Sequence, residues 1–147
     1  IQAELHEECV ALVAALQAGS ADRQTAFAAL GRFASIRDSR RGRPGAPLFE
    51  EDFWERQEGI PTNLERRAAL YMKFRDPSVI GAALTPHGCD MTRTGGYFLM
   101  LGGLEAAVLD TFSAPAAWPR LVYPRDGTRA SSLYSLVRAL FSQLEER

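Results

Sequence analysis

Apolar positions along this chain recur every three to four residues, the spacing of one face of a helix. The pattern is densest from Thr94 to Phe112. Wound at 3.6 residues per turn, one side of that stretch carries Gly95, Leu99, Gly102, Gly103, Ala106 and Ala107, and the other carries Phe98, Leu101, Leu104, Val108 and Phe112. A helix with one flat side and one bulky side can be buried on both, a backbone lying close on the small residues. The two central glycines cost about 1 kcal/mol each relative to alanine, and the competing reading is a strand over 97–101 followed by a helix from Leu104.

The flanking segments carry weaker versions of the same signal. Ile1, Leu5, Cys9, Leu12 and Leu16 form a stripe on a first helix, with acids in its opening turns and Gly19 at its end. Ser20 is an N-cap residue type for a second helix that buries Phe27, Leu30, Phe33 and Ala34. A Gly-Ser turn between them predicts an antiparallel hairpin. Thr62-Asn-Leu-Glu65 has capping-box spacing and opens a helix over 62–74, and Asp76-Pro77 starts a short one that ends at Thr85-Pro86. The cleanest seam is the last, with Leu133, Leu136, Val137, Leu140, Phe141 and Leu144 between residues 130 and 146.

Between these lie two irregular stretches. Arg37, Arg40, Arg41 and Arg43 stand among Gly42, Pro44, Gly45 and Pro47, which predicts a basic Pro/Gly loop over 37–49. An acidic run follows, Glu50, Glu51, Asp52, Glu55 and Glu58 interleaved with Phe49, Phe53 and Trp54. Opposite signs allow the two blocks to pair with each other, although a charge run of this kind reads first as a solvated surface. Prolines at 115, 119 and 124 predict an extended connector over 113–129, where Leu121-Val-Tyr123 is a lone strand-like triplet, too little for a sheet. The expectation is an all-α fold: one domain over 1–147, an orthogonal or bundle-like array of about six helices joined by Pro/Gly-rich connectors.

The wording of residues 11–34, Ala-Leu-Val-Ala-Ala-Leu-Gln-Ala-Gly-Ser at its start and Ala-Ala-Leu-Gly-Arg-Phe-Ala at its end, resembles a single repeat of the HEAT-like helical solenoids. The resemblance implies a helical hairpin and nothing further, because no second copy follows at roughly 40 residues, the spacing such arrays require.

Composition narrows the function classes. A length of 147 residues suits one domain with a core of its own. A net charge of -1 supplies no global field for nucleic acid or an anionic membrane. Lys73 is the single lysine, and the remaining basic residues are arginines. Glu105 and Asp110 interrupt the longest apolar run, so no membrane span is expected. The chain starts at Ile1, not Met, which fits a trimmed or processed N-terminus, and its compartment stays open.

Candidate chemistry is sparse. His6 and Cys9, three apart on the first helix, and His87 and Cys89, before the central one, have the composition of a tetrahedral zinc set. That spacing matches no standard finger, and Cys9 sits on the core stripe, where a thiol acts as a small hydrophobe. Two separate buried thiols are the default, and a Cys9 to Cys89 bridge, which needs an oxidising compartment, is the other option. No cofactor motif is present: the glycine pairs lack a following Gly-Lys-Ser/Thr, and Ser131 and Ser132 suit the first turn of a helix, not a nucleophile elbow. The sequence therefore reads as a non-enzymatic adaptor or small subunit of a larger assembly that binds protein through its irregular arms. Arg37, Arg40, Arg41, Arg43, Phe49, Phe53, Trp54, Trp118 and Tyr123 are the candidate contacts, being the residue types that anchor interfaces. Metal binding through His6, Cys9, His87 and Cys89, and polyanion or RNA binding through Arg37 to Arg43, are the alternatives.

Overall fold

The computed structural model describes residues 2–19, 21–61, 63–65, 68, 73, 89, 97–113, 117–125 and 130–145. Helix α1 spans Gln2–Ala18 and stops where Gly19 takes a left-handed φ of 59° and returns its amide to the Ala15 carbonyl at 3.0 Å. Helix α2 spans Arg23–Arg41 and packs along α1, giving the expected hairpin. Its N-cap is Asp22, whose carboxylate accepts from the Thr25 amide at 3.1 Å, two residues beyond the expected cap. Asp is as good a cap as Ser, and the turn before it is longer than the Gly-Ser pair alone.

The basic stretch is largely helical, not a loop. Helix α2 runs through Arg37, Arg40 and Arg41 and is closed by the Gly42 amide donating to the Asp38 carbonyl at 2.9 Å, so the irregular segment is 42–47, not 37–49. Arginine is a good helix former, and the glycines and prolines act only from position 42 onward. Helix α3, Leu48–Trp54, passes without a break into a π-helical turn, Glu55–Gly59.

Helix α4, Tyr97–Phe112, is one unbroken helix, which removes the strand alternative over 97–101. Positions 100–109 are all buried, as expected for a helix with neighbours on every side. It packs against α1, the π turn and the last helix. Helix α5, Pro119–Val122, has proline at its first position, and this short helix corrects the extended connector expected over 113–129 and absorbs Leu121 and Val122 of the strand-like triplet. Helix α6, Leu133–Glu145, is capped by Ser132, whose Oγ accepts from the Ser135 amide at 3.1 Å.

The fold is all-α, with six helices and no strand among the described residues. Leu5, Leu12, Leu30, Phe33, Leu101, Val108, Leu133 and Val137 share one core drawn from α1, α2, α4 and α6. The helices expected over 62–74 and 76–85 lie outside the described residues apart from 63–65, 68 and 73, which are helical.

Candidate functional site

The site grows out of core stripes that carry a charge where an apolar residue would fit. On α1 the stripe reads Leu5, Glu8, Cys9, Leu12, and on α2 it reads Leu30, Phe33, Ala34, Arg37, Arg40. Glu51 on α3 and Glu55 at the head of the π turn are one helical turn apart, so both face inward. Glu105 projects from the middle of α4. Helix packing brings all six side chains together, and each is buried.

Arg37 is the hub. Its Nη1 lies 3.5 Å from Glu8 Oε2 and 3.1 Å from Glu105 Oε1, and its Nη2 lies 2.9 Å from Glu51 Oε1 and donates a short bond to Glu55 Oε1. Arg40 donates from Nε to Glu8 Oε1 at 2.6 Å, from Nη2 to Glu8 Oε2 at 3.2 Å and from Nη1 to Glu51 Oε2 at 3.1 Å. At the rim, Arg41 grips Asp52 with both ends of its fork, at 2.8 and 3.2 Å. The Arg37 guanidinium also sits 4.9 Å from the centre of the Tyr134 ring and 5.6 Å from that of Phe33. The opposite-sign blocks do pair, through Arg37 and Arg40 inside the protein and through Arg41 at its rim.

The cluster holds more acid than base. Four fully buried carboxylates surround two buried guanidinium groups. Glu55 Oε2 and both Glu105 oxygens accept no hydrogen bond among the described residues; Glu105 Oε1 is close to Arg37 Nη1 but misaligned for one. Burial therefore dominates for both acids. It pushes Glu55 up to about 7 against the opposing pull of Arg37, and it pushes Glu105 well above the usual carboxylate range. Burial also opposes the charge on Arg37, but Glu105, Glu55, Glu51 and Glu8 together outweigh it and hold the guanidinium protonated.

The acids of the π turn and of α4 meet because their backbones touch. A Cβ added to Gly102 would lie 2.6 Å from Glu55 Cα, and one added to Gly59 would lie 2.6 Å from Gly102 Cα. The small face expected on the central helix is thus a seat for the segment that carries Glu55.

The outer side of α3 is the reverse of its inner side. Phe49 is 77% exposed, Trp54 47% and Phe53 37%, with Leu48 exposed beside them. Phe49 stacks on Phe53 at 6.2 Å between centroids, and Phe53 meets Trp54 edge to face at 5.3 Å. Glu50 and Glu58 are exposed on the same stretch. Tyr123 is exposed too, and its hydroxyl donates to the Arg56 carbonyl at 2.8 Å, which sets it beside the π turn.

Other expected contacts are not surface groups. Trp118 is buried, its indole donating to Asp110 Oδ1 at 2.9 Å, and Arg37 and Arg40 are the centre of the cluster. Arg43 stays half-exposed and bonds Glu4 at 2.9 Å. Cys9 and Cys89 form a disulfide with their Cα atoms 5.7 Å apart, tying α1 to the segment before α4. This corrects both the default of separate thiols and the four-ligand metal set, since two of its ligands are bonded to each other. His6 Nδ1 lies 3.2 Å from the Cys89 carbonyl oxygen, and His87 lies outside the described residues.

Sequence reasoning missed Glu8 and Glu105 as site residues and took Glu51 and Glu55 for surface. The available signal was position: Glu8 and Arg37 interrupt apolar stripes, and Glu105 interrupts the most apolar helix. Comparison with protein-family models, with curated proteins and with solved structures returns no match.

Proposed function

We propose that this domain binds protein, as an adaptor or as a small subunit of a larger assembly, through the outer face of α3. The observation that carries the reading is the contiguous row of Phe49, Phe53 and Trp54 rings exposed to solvent on a helix whose inner face is clamped by Arg37 and Arg40. Large rings left in water at a cost of roughly 1.5–3 kcal/mol each compared with burial call for a cover. A helix already fixed by buried ion pairs loses little further freedom when a partner docks, which favours affinity. The exposed acids Glu50 and Glu58 favour a basic partner, and the pairing of an apolar row with flanking acids suits an amphipathic helix bearing Lys or Arg along its polar edge.

Titration with a synthetic Lys/Leu amphipathic helix, followed by Trp54 fluorescence, tests this. Saturable binding that weakens at least about tenfold in Phe49→Ala and Phe53→Ala supports the reading, since anchor aromatics cost upward of about 1.4 kcal/mol when truncated. Binding that is absent, or indifferent to both substitutions, removes it. The arginines do not favour polyanion binding: Arg37 and Arg40 are enclosed, and Arg41 and Arg43 each already hold an acid.

A further inference from the structure

The Arg–Glu cluster is a larger construction than anchoring one helix requires, and its imbalance is its informative feature. Glu55 heads the π turn that meets α4 backbone to backbone at Gly102, and Glu105 lies three residues further along α4; both are buried, and three of their four oxygens accept no hydrogen bond among the described residues. Among the described residues, charged and titratable groups approach them from four elements. From α1 comes Glu8; from α2 come Arg37, Arg40 and Arg41; from α3 and its π turn come Glu51, Asp52 and Arg56. From α6 comes Tyr134, whose ring lies by Arg37 and whose hydroxyl donates to Asp38. Arg37 and Arg40 already serve Glu8 and Glu51. No second cation is within reach of Glu105 among the described residues.

We propose that the Glu55–Glu105 pair is a proton-operated latch, closed while the pair holds its protons and holding α3 on α4, and so governing how Phe49, Phe53 and Trp54 are presented. Loss of the protons adds negative charge to a set that is already acid-rich and dry, where repulsion between carboxylates is weakly screened. The helices cannot slide to space the acids apart, because backbone meets backbone at Gly102 and Gly59. Relief comes by lifting 48–59 off α4, which admits water to all four acids. Arg37 and Arg40 remain on α2 with Glu8, so the hairpin of α1 and α2 stays in place. The upward shift of both acids on burial agrees with this arrangement.

The latch rests on the reading of α3 as the binding helix only for its consequence, and its test needs no partner. Hydrogen exchange of segment 48–59, corrected for the intrinsic pH dependence of exchange, is measured on the whole protein from about pH 5 to about pH 9. The expected result is an opening equilibrium that rises with pH, up to about tenfold per pH unit for each proton released, while α1 and α2 amides keep their protection. Glu105→Gln, and independently Glu55→Gln, should flatten the rise. The proposal is overturned if 48–59 keeps the same protection across the range, if α1 and α2 open in parallel with it, or if folded variants keep the wild-type slope. The wild-type profile decides even where a variant does not fold. A flat profile together with peptide binding at α3 would remove the latch and leave the binding reading standing.

Discussion

Arg37 of α2 holds its Nη1 3.1 Å from Glu105 Oε1 of α4, yet neither Glu105 oxygen accepts a hydrogen bond among the described residues. The contact is one of charge without the alignment that would satisfy the acid. The two partners should therefore respond oppositely to removal. Arg37→Met leaves four buried acids with a single guanidinium and is expected to lose about 3–5 kcal/mol of unfolding free energy. Glu105→Gln relieves the acid excess and is expected to hold or raise stability at neutral pH. Urea unfolding of both variants checks this, and an equal loss in each would mean the acid is satisfied after all.

Stability should depend on pH with a definite sign. Glu55 moves from 4.5 to about 7 in the folded state, so the folded protein binds the extra proton and is favoured while that proton is on. The contribution is complete below about pH 4.5 and disappears as pH climbs through about 7, a change of roughly 3 kcal/mol. Glu105 extends the decline further upward. Glu4 and Asp22 are shifted downward, the first by Arg43 and the second by the Thr25 hydrogen bonds, and their stabilisation is lost only as acid takes the pH below the ordinary carboxylate range. The urea midpoint is expected to fall between about pH 5 and about pH 8, with Glu55→Gln showing the shallower slope.

Gly102→Ala should be among the costliest small changes in the chain. A methyl there meets the Glu55 backbone, which has no rotamer to adjust, so the π turn must move. A loss of at least about 1–3 kcal/mol is expected, with the effect concentrated in α3. Gly45→Ala provides the contrast: nothing lies within 4 Å of the added methyl, and its cost comes only from the left-handed φ of 79°. Thermal unfolding of the two variants compares a backbone clash with local strain.

The disulfide predicts a protein in which Cys9 and Cys89 give no thiol reaction even when unfolded without reductant. Reduction frees a loop closed over a separation of 80 residues and should cost about 4.5 kcal/mol on the chain-entropy account. A thiol assay in denaturant, followed by unfolding with and without reductant, measures both.

What could be read from the sequence followed apolar periodicity. The α1–α2 hairpin, the two-sided burial of α4 and the seam of α6 all announce themselves by hydrophobic spacing, and the close seat at Gly102 by the absence of side chains there. The charged cluster did not announce itself, because Arg37, Arg40, Glu51 and Glu55 belong to residue types that normally face water. The glycines and prolines from 42 to 47 also drew the adjoining arginines into an apparent loop. Only the phase of Arg37 with Leu30 and Phe33, and of Glu8 with Leu5 and Leu12, marks them as interior, and that phase means burial only when a partner of opposite charge is present on another helix. Phe49, Phe53, Trp54 and Tyr123 lie in solvent as expected, whereas Trp118 turned inward because Asp110 offers its indole an acceptor.

The bond between Cys9 and Cys89 closes a covalent ring, and the cluster straddles its border. Arg37, Arg40, Glu51 and Glu55 lie within the ring, Glu8 one residue before it begins, and Glu105 on the strand of chain that leaves it. The exposed turn at 42–47 is also within the ring. A protease that cut that turn would separate α2 from α3 in sequence while leaving both pieces on one molecule, each still carrying its half of the ion pairs.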